Sequence, residues 1–429
     1  MNRYVVIILF GLFMAGMLIS MAVSFSMGIS AAASFLVLDF DLVAMIRRMN
    51  SAFRNFPQLA VPFYILAGHI MSRCGVSKRI FDFARALIGH VTGGLANVNI
   101  IASMIFAGMS GSALADIGGL GTIEMQEMKR AGYDVGFSSS VTLASATIGP
   151  IIPPSIHFVI YAVLAEVSVG RLFVAGFIPG LLIGLLLMIT VFILIKTGYA
   201  VCPTDEKKSF KEIVEQFKKA FLSILAPLII LGGIATGFTT PTEAGIIAII
   251  YSFCLTLIYR EITFRELKEA IEEAMLSFST IMVIVSFAMS IGWVFTYTRA
   301  PHNVAALILG LTDNPILVLL IIILCLIALG SVLDPLPVLL ITTPIFLPLV
   351  QSVGIDLIQF GVIMSFTPLI GLQTPPAAIG LYLMTKIADI SFEDTFKAFL
   401  PWFIPLILAA ILFSVIPKLS LWLPSLIFD

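Results

Sequence analysis

The sequence predicts an all-α polytopic membrane protein: an inverted repeat of two five-span halves, each with a re-entrant hairpin and a broken helix. Three observations predict it. Of the 429 residues, 59% are hydrophobic and only 11% are charged, and the mean hydropathy is +1.10. A soluble domain carries about 25% charged residues, so this chain cannot cover its own surface in water. The apolar stretches are long and are separated by Gly and Pro, not by alternating polar residues, which favours helices over a β-barrel. The punctuation also recurs. Gly132, Asp134, Gly149, Pro153, Pro154, Phe177 and Pro179 reappear 222 residues on as Gly354, Asp356, Gly371, Pro375, Pro376, Phe399 and Pro401, and Gly108 pairs with Gly330.

Each element follows in order. Segment 4–22 reads as a retained first span. It lacks a small-residue cleavage site before a polar start, and the apolar pattern runs on to Leu38. Segments 25–40 and 57–72 are short spans, and 41–55, with Arg47, Arg48 and Arg54, reads as an amphipathic helix. Stretches 93–128 and 315–350 are long, apolar and rich in Gly, Ser or Pro, which suits re-entrant hairpins. Segments 137–165 and 357–385 are long enough to cross, but each is broken at its Gly-to-Pro-Pro element. Segment 172–195 easily crosses a core of about 30 Å, and 221–238, 243–258, 275–297 and 400–417 are similar spans.

Residues 197–219 hold Lys207, Lys208, Lys211, Lys218 and Lys219 and read as a cytoplasmic linker with an amphipathic helix. Segment 259–273 is predicted as a second amphipathic helix lying along the surface. The expected units are a first repeat, 1–196, the linker 197–219, and a second repeat, 220–429. Five crossings per half, with the linker inside, put both termini outside. Arg73, Lys78, Arg79, Arg85, Lys129 and Arg130 then fall inside, as the positive-inside rule wants, whereas Arg47, Arg48 and Arg54 fall outside, against it.

Duplicated halves with interrupted membrane helices point to a secondary transporter whose solute site lies where the breaks meet. The first hairpin tip runs from Gly108 through Ser110, Gly111 and Ser112 to Asp116. Small residues allow close backbone approach and free carbonyls for a cation, and a carboxylate inside a membrane segment is functional by default. Tight helix packing is the simpler explanation of the small residues alone. The first break runs from Thr147 and Gly149 through Pro153 and Pro154 to Ser155. Its prolines strip carbonyls of their partners, and the half-helix that follows turns a positive dipole end to an anion. The second break carries Gln373 and Thr374 before Pro375 and Pro376. The second tip carries Gly330, Val332 and Asp334, and Asp334 either holds a cation or caps a half-helix. His157 is expected to be a hydrogen-bonded membrane histidine, with a substrate contact as the alternative. Thr239 to Gly245 reads as a turn and helix start, with Glu243 serving as a cap.

Other classes find little support. Net charge is −1, from 24 basic and 25 acidic residues, so no nucleic-acid partner is indicated. Cys74, Cys202, Cys254 and Cys325 show no metal spacing. There is no HExxH, P-loop or GxSxG motif, and an intramembrane enzyme built on Asp116 and Asp334 lacks a GxGD motif. With no nucleotide site, an ion gradient must drive transport.

Taken together, GMSGSALADIGGLGTIEM, ATIGPIIPPSI, TTPTEAG, GLQTPPAAIGLYL and PFYILAG (Pro62 to Gly68) resemble the large membrane subunit of the tripartite ATP-independent periplasmic (TRAP) transporters, over nearly the whole chain. The resemblance implies a sodium-coupled importer of small organic acid anions, with no cofactor beyond the coupling ions, in the cytoplasmic (inner) membrane. It implies a periplasmic solute-binding protein and a small four-helix membrane subunit as partners. That subunit is expected to be a separate polypeptide, because no four-helix extension precedes the first span. It also implies an elevator-type fold. The moving transport parts would be about 57–170 and 275–390, and the scaffold 1–55, 172–196, 220–258 and 398–429. One sodium site would be lined by Ser110, Ser112, Thr147 and Gly149, with Asp116 beside it. Gly330, Val332, Asp334, Gly371 and Thr374 would line the other. The anion would lie near Pro153, Pro154, Ser155 and Pro375, with His157, Gln373 and Pro376 in reach. No strong arginine candidate is expected in the core, since Arg171 and Arg299 sit at span ends, so half-helix dipoles and bound cations would neutralise the anion. The alternative is a single-component dicarboxylate–sodium carrier, which needs no binding protein. The substrate itself is not legible: dicarboxylates, sialic and other sugar acids, keto acids and some amino acids all present a carboxylate.

Overall fold

The computed structural model describes residues 2–53 and 59–428, and these fold into helices joined by short turns, with no strand among them. Arg54 lies outside the described residues. The 222-residue offset runs well beyond the stretch in which the sequence reveals it. Asn2–Leu18 corresponds to the later part of Phe210–Ala235, and Val23–Val37 to Pro241–Tyr259. Leu42–Ser51 and Ala60–Arg73 together correspond to the single helix Phe264–Thr298, and Val76–Ile88 corresponds to Ala300–Leu309. The hairpin arms Gly94–Ser110, Ala113–Gly118 and Leu120–Arg130 correspond to Pro315–Gly330 and Pro335–Ser352. Val135–Ala146 and Ile156–Ala165 correspond to Leu357–Leu372 and Ile379–Ala388, and Val169–Lys196 to the run Phe392–Val415. The last helix, Lys418–Phe428, packs on Val169–Lys196 outside the repeat.

The recurring punctuation has a local cause. Gly132 and Gly354 have φ of +82° and +71°, the left-handed conformation that ends a helix. Two residues later the Asp begins the next helix. Asp134 Oδ1 accepts from Phe137 N at 2.8 Å, and Asp356 Oδ1 from Ile358 N at 2.7 Å. Capping boxes start three further helices, at Ser209 with Glu212, Thr240 with Glu243 and Thr263 with Glu266. Glu243 is thus a cap, as its sequence context predicts.

Two expectations fail for one reason. The charged segments 197–219 and 259–273 are not separate surface helices. Residues 210–219 open the 26-residue helix Phe210–Ala235, and residues 264–273 open the 35-residue helix Phe264–Thr298. Neither charged stretch ends in a Gly or Pro that would stop the helix, so it propagates into the apolar stretch. At 1.5 Å per residue, 35 residues span roughly 52 Å, far more than a core of about 30 Å. Segment 4–22 is likewise shorter as a helix, ending at Leu18.

Ion pairs show which charges share a side. Arg73 pairs with Glu269 and Glu273 at 3.1 and 2.6 Å, and Arg79 with Glu261 at 2.6 Å while lying over the Tyr259 ring. Arg85 binds both Asp205 oxygens, at 2.7 and 3.1 Å, and Glu127 at 3.0 Å. Arg48 lies over Trp293, near the other end of Phe264–Thr298, about 30 Å from Glu273 by helix rise. The two basic sets therefore sit at opposite ends of one helix.

The segment before Phe210 is pinned rather than free. Asp205 N donates to Gly89 O at 3.0 Å, and the Tyr133 hydroxyl donates to Pro203 O at 2.5 Å. Arg85 holds the Asp205 carboxyl below its usual range. A carboxylate lowered in the folded state contributes stability above its unfolded value of about 3.9, and that contribution is lost as pH falls through the lower folded value. At pH 7 it is therefore fully present. Both partners are partly exposed, so it is worth about 1 kcal/mol at most. Arg85→Ala should lower the thermal midpoint of the detergent-solubilised protein at pH 7 by about 2 °C. An unshifted melting curve at pH 7 would count against this pin.

Candidate functional site

Each hairpin tip docks on the break of its own half. Gly111, at φ +60°, turns the first tip so closely over the first break that an added Cβ would meet Pro154 O at 2.8 Å. A Cβ on Gly108 would come within 3.4 Å of Pro153 O. In the second half, Gly330 approaches Pro368 and Gly371 backbone to backbone, and Ala377 N donates to Ser331 O at 2.9 Å. Glycine is required because any side chain would separate the two chains. The Pro153–Pro154 and Pro375–Pro376 bonds are both cis.

The half-helices then cross over. Ile156–Ala165, which follows the first break, packs on Pro335–Ser352 of the second hairpin, and Ile379–Ala388 packs on Ala113–Gly118 of the first. The Tyr161 hydroxyl donates to Leu357 O at 2.8 Å across the halves. Both breaks and both tips thus belong to one interlocked centre.

The candidate polar atoms divide by state. Thr147 Oγ1 donates to Ala144 O at 2.6 Å, and Thr374 Oγ1 to Ile370 O at 2.8 Å. A hydroxyl whose proton is committed to backbone still offers lone pairs to a cation. Ser155 caps its half-helix, accepting from Phe158 N, and donates to Pro150 O at 2.5 Å. In the second half the helix starts later, at Ile379, after Ala378 at φ +42° and without a side-chain cap. Asp334 caps Pro335–Ser352, accepting from Leu336 N at 3.1 Å through Oδ1. Thr147, Gly149, Pro153, Pro154, Ser155 and Gln373 are buried, Val332, Asp334, Thr374 and Pro375 are half-buried, and Pro376 is exposed.

Several buried polar atoms have no hydrogen-bond partner: both oxygens of Asp116, both ring nitrogens of His157, the Gln373 amide, and the hydroxyls of Ser365 and Thr367. His157 is therefore not the hydrogen-bonded histidine expected from the sequence. It sits buried at the start of Ile156–Ala165, a helix whose other residues are apolar or aromatic. Ser365 and Thr367 were missed because isolated hydroxyls in an apolar helix carry no sequence signal.

A cavity of about 570 Å³ opens beside the first tip. One wall is Ser110, Ser112, Gly118 and Gly119 of the hairpin, with Ile156 at the start of the half-helix. The facing wall is His69, Arg73, Glu273 and Ser277. Arg73, like Arg171 and Arg299, belongs to a helix end. It ends Ala60–Arg73 but lines this cavity, held by Glu269 and Glu273, with His69 Nδ1 3.6 Å from Glu273. The sequence shows Arg73 only as one of several basic residues near a span end.

Comparison with known proteins adds the following. A family model described as the DctM component of the tripartite ATP-independent periplasmic transporter matches residues 10–419. The chain is 40% identical to the sialic acid TRAP transporter large permease protein SiaM of Vibrio cholerae, over 97% of this chain and 96% of that protein. It is 36% identical to the C4-dicarboxylate TRAP transporter large permease protein DctM of Pseudomonas aeruginosa, over 93% and 94%. It is also 36% identical to the 2,3-diketo-L-gulonate TRAP transporter large permease protein YiaN of Escherichia coli, over 96% and 97%. Among solved structures, the YdaH transporter of Alcanivorax borkumensis aligns with a TM-score of 0.56 at 15% identity, covering 90% of this chain and 88% of that one. MtrF of Neisseria gonorrhoeae aligns at 0.54 and 15% identity, covering 87% and 84%. These two likenesses concern the fold.

Proposed function

This chain belongs to the DctM component family of the tripartite ATP-independent periplasmic transporters, and from that premise we propose that it is the membrane permease of a sodium-coupled importer of small organic acid anions. It is a multi-pass membrane transport protein and not an enzyme. The proposed partners are a small four-helix membrane subunit and a periplasmic solute-binding protein. The proposed substrate is a carboxylate of the kind its relatives' names describe, from sialic acid to C4-dicarboxylates.

The observation that carries the reading is the paired docking of each tip on its own break, with the half-helices exchanged between halves. Two inverted halves meeting in this way would frame one central site between two cation sites. Ser110, Ser112, Asp116, Thr147 and Gly149 are the candidate ligands of the first sodium ion. Gly330, Val332, Asp334, Gly371 and Thr374 are those of the second. The anion would lie between, against the Pro-Pro breaks and the half-helix N-termini, with bound cations supplying the charge that balances it. Coupling follows physically, because the anion site lacks its positive field until sodium binds.

The transport parts would move as an elevator against the scaffold. The cavity between the first tip and Ala60–Arg73 would be the path on the linker's side of the membrane. An anion passing through it meets Arg73, which is already neutralised by Glu269 and Glu273 and so does not trap the substrate.

The test is uptake by proteoliposomes holding both membrane subunits, supplied with the binding protein and a labelled organic acid. Replacing sodium by choline outside should cut initial uptake at least tenfold. Unchanged uptake in choline would sink the coupling. Full uptake without the binding protein would favour the single-component carrier.

A further inference from the structure

The two halves share their helices, but two buried acids of the first hairpin have apolar residues at the equivalent positions of the second. In the first hairpin, Asp116 and Glu124 are 2% and 1% exposed. Among the described residues, neither forms an ion pair. Neither oxygen of Asp116 has a hydrogen-bond partner, and its Oδ2 fills the space that a Cβ on Gly149 would need. Glu124 Oε1 has only the Ser103 hydroxyl, at 3.5 Å.

Counting protons weakens even that contact. Ser145 Oγ lies 2.7 Å from Asn99 Oδ1, which can only accept, so Ser145 donates there. Ser103 Oγ has one proton and two acceptors in reach, Ser145 Oγ at 3.1 Å and Glu124 Oε1 at 3.5 Å, so Glu124 receives at best one long, shared hydrogen bond. The Asn99 amide nitrogen donates to Thr142 Oγ1 at 2.7 Å, and Thr142 donates to Ser138 O. Apart from Ser103, no donor in the network reaches Glu124. Asp116 is thus a buried acceptor with no donor, and Glu124 one with a single long contact. Both face the same stretch of backbone. Asp116 abuts Gly149, and Glu124 reaches Ser145 through Ser103, about one helical turn away.

The second half shows that the fold does not need this polarity. At the equivalent positions, 222 residues on, Asn99 becomes Ile321, Ser103 becomes Cys325, Asp116 becomes Val338, Glu124 becomes Phe346 and Thr142 becomes Met364. Of the network, Ser145 alone keeps a hydroxyl, as Thr367, and the corresponding helices still pack on one another. The two acids of the first half therefore have a cause other than packing. Two buried carboxylates without an ion pair, one with no donor and one with a single long contact, call for positive charge.

We propose that Glu124, with Ser103 and the unpartnered carboxylate of Asp116, binds a sodium ion inside the first hairpin, in addition to the pseudo-symmetric pair. This rests on the sodium-coupled reading above and deepens it. Asp116 balances the ion at the first tip and Glu124 balances the extra one, so the loaded hairpin carries no net buried charge across the membrane. The cavity gives access: Ser110, Ala115, Gly118 and Gly119, which flank Asp116 in sequence, all line it.

The experiment measures the sodium-to-substrate ratio from the membrane potential at which net flux reverses, in proteoliposomes of both subunits with the binding protein. Wild type is compared with Glu124→Gln and Ser103→Ala. The expected result is one fewer sodium ion per substrate in Glu124→Gln, and a roughly threefold higher half-saturating sodium concentration in Ser103→Ala. If Glu124→Gln fails to fold, the Ser103→Ala shift alone decides. An unchanged ratio and sodium dependence in the variants would overturn the proposal, as would a ratio that stays fixed while the pH profile moves, since that marks a proton on Glu124. A wild type indifferent to sodium would instead overturn the parent reading.

Discussion

Gly371→Ala should abolish substrate uptake. A Cβ at Gly371 would lie 2.5 and 2.6 Å from the carbonyl carbon and Cα of Gly330, and 2.6 Å from Ile327 O. All three are backbone atoms of Pro315–Gly330, so no rotamer change can relieve the clash. The two helices would have to part, and the second tip would lift from its break. Overpacking costs about 1–3 kcal/mol where side chains can adjust, and a backbone-on-backbone clash belongs at the upper end, about 3 kcal/mol. Function should suffer more than stability, because the displaced groups include the candidate ligands Gly330 and Thr374. Gly292→Ala is the control, since its nearest neighbour is Pro344 Cγ at 4.0 Å. The check is proteoliposome uptake beside the thermal midpoint of each variant. Uptake by Gly371→Ala within twofold of wild type would show that the close approach is not needed.

The same pair shows what a sequence can and cannot disclose. Gly330 and Gly371 stand out because they recur at a fixed offset, and glycine is the residue that backbone contact demands. The breaks were legible for a like reason, since proline and positive-φ glycine act locally. Partners are another matter. Nothing in the sequence tells that Gly371 meets Gly330, or that each half-helix packs on the other half's hairpin. Upstream of Gly108 the offset survives in the helices but not in the residues, because apolar helix faces accept many side chains. The charged starts of Phe210–Ala235 and Phe264–Thr298 misled for a related reason. Polarity marks where a helix leaves the membrane, not where it ends.

Of the candidate site, the small-residue tip and the Pro-Pro breaks were legible, while the facing wall was not. Arg73 acquires meaning only once Phe264–Thr298 brings Glu269 and Glu273 against it. Glu124 sits in the charged-looking run Glu124, Glu127, Lys129, Arg130, which reads as a solvated face. Helical periodicity puts Glu124 inside and leaves Arg130 exposed.

Asp334→Asn should fold as wild type does yet lose most sodium-driven uptake. Asp334 caps Pro335–Ser352, so capping and ion binding compete as explanations of its acid. The first turn decides between them. Pro335 and Pro337 have no N–H, leaving Leu336 as the donor that a cap must satisfy, and one oxygen of Asp334 already accepts from it. Asparagine caps about as well as aspartate, and losing the charge beside the helix dipole costs about 0.5 kcal/mol. The negative charge is therefore nearly surplus to folding. Asp334→Ala removes the cap as well and should cost about 1 kcal/mol more. If the carboxylate is a sodium ligand, both variants raise the half-saturating sodium concentration at least tenfold, while only the alanine variant also lowers the thermal midpoint. If it is a cap alone, Asp334→Asn transports with a wild-type sodium response, and the alanine variant is merely less stable. Sodium titrations of uptake, read beside melting curves for the same two proteins, separate the outcomes because the asparagine keeps the hydrogen bond and removes only the charge.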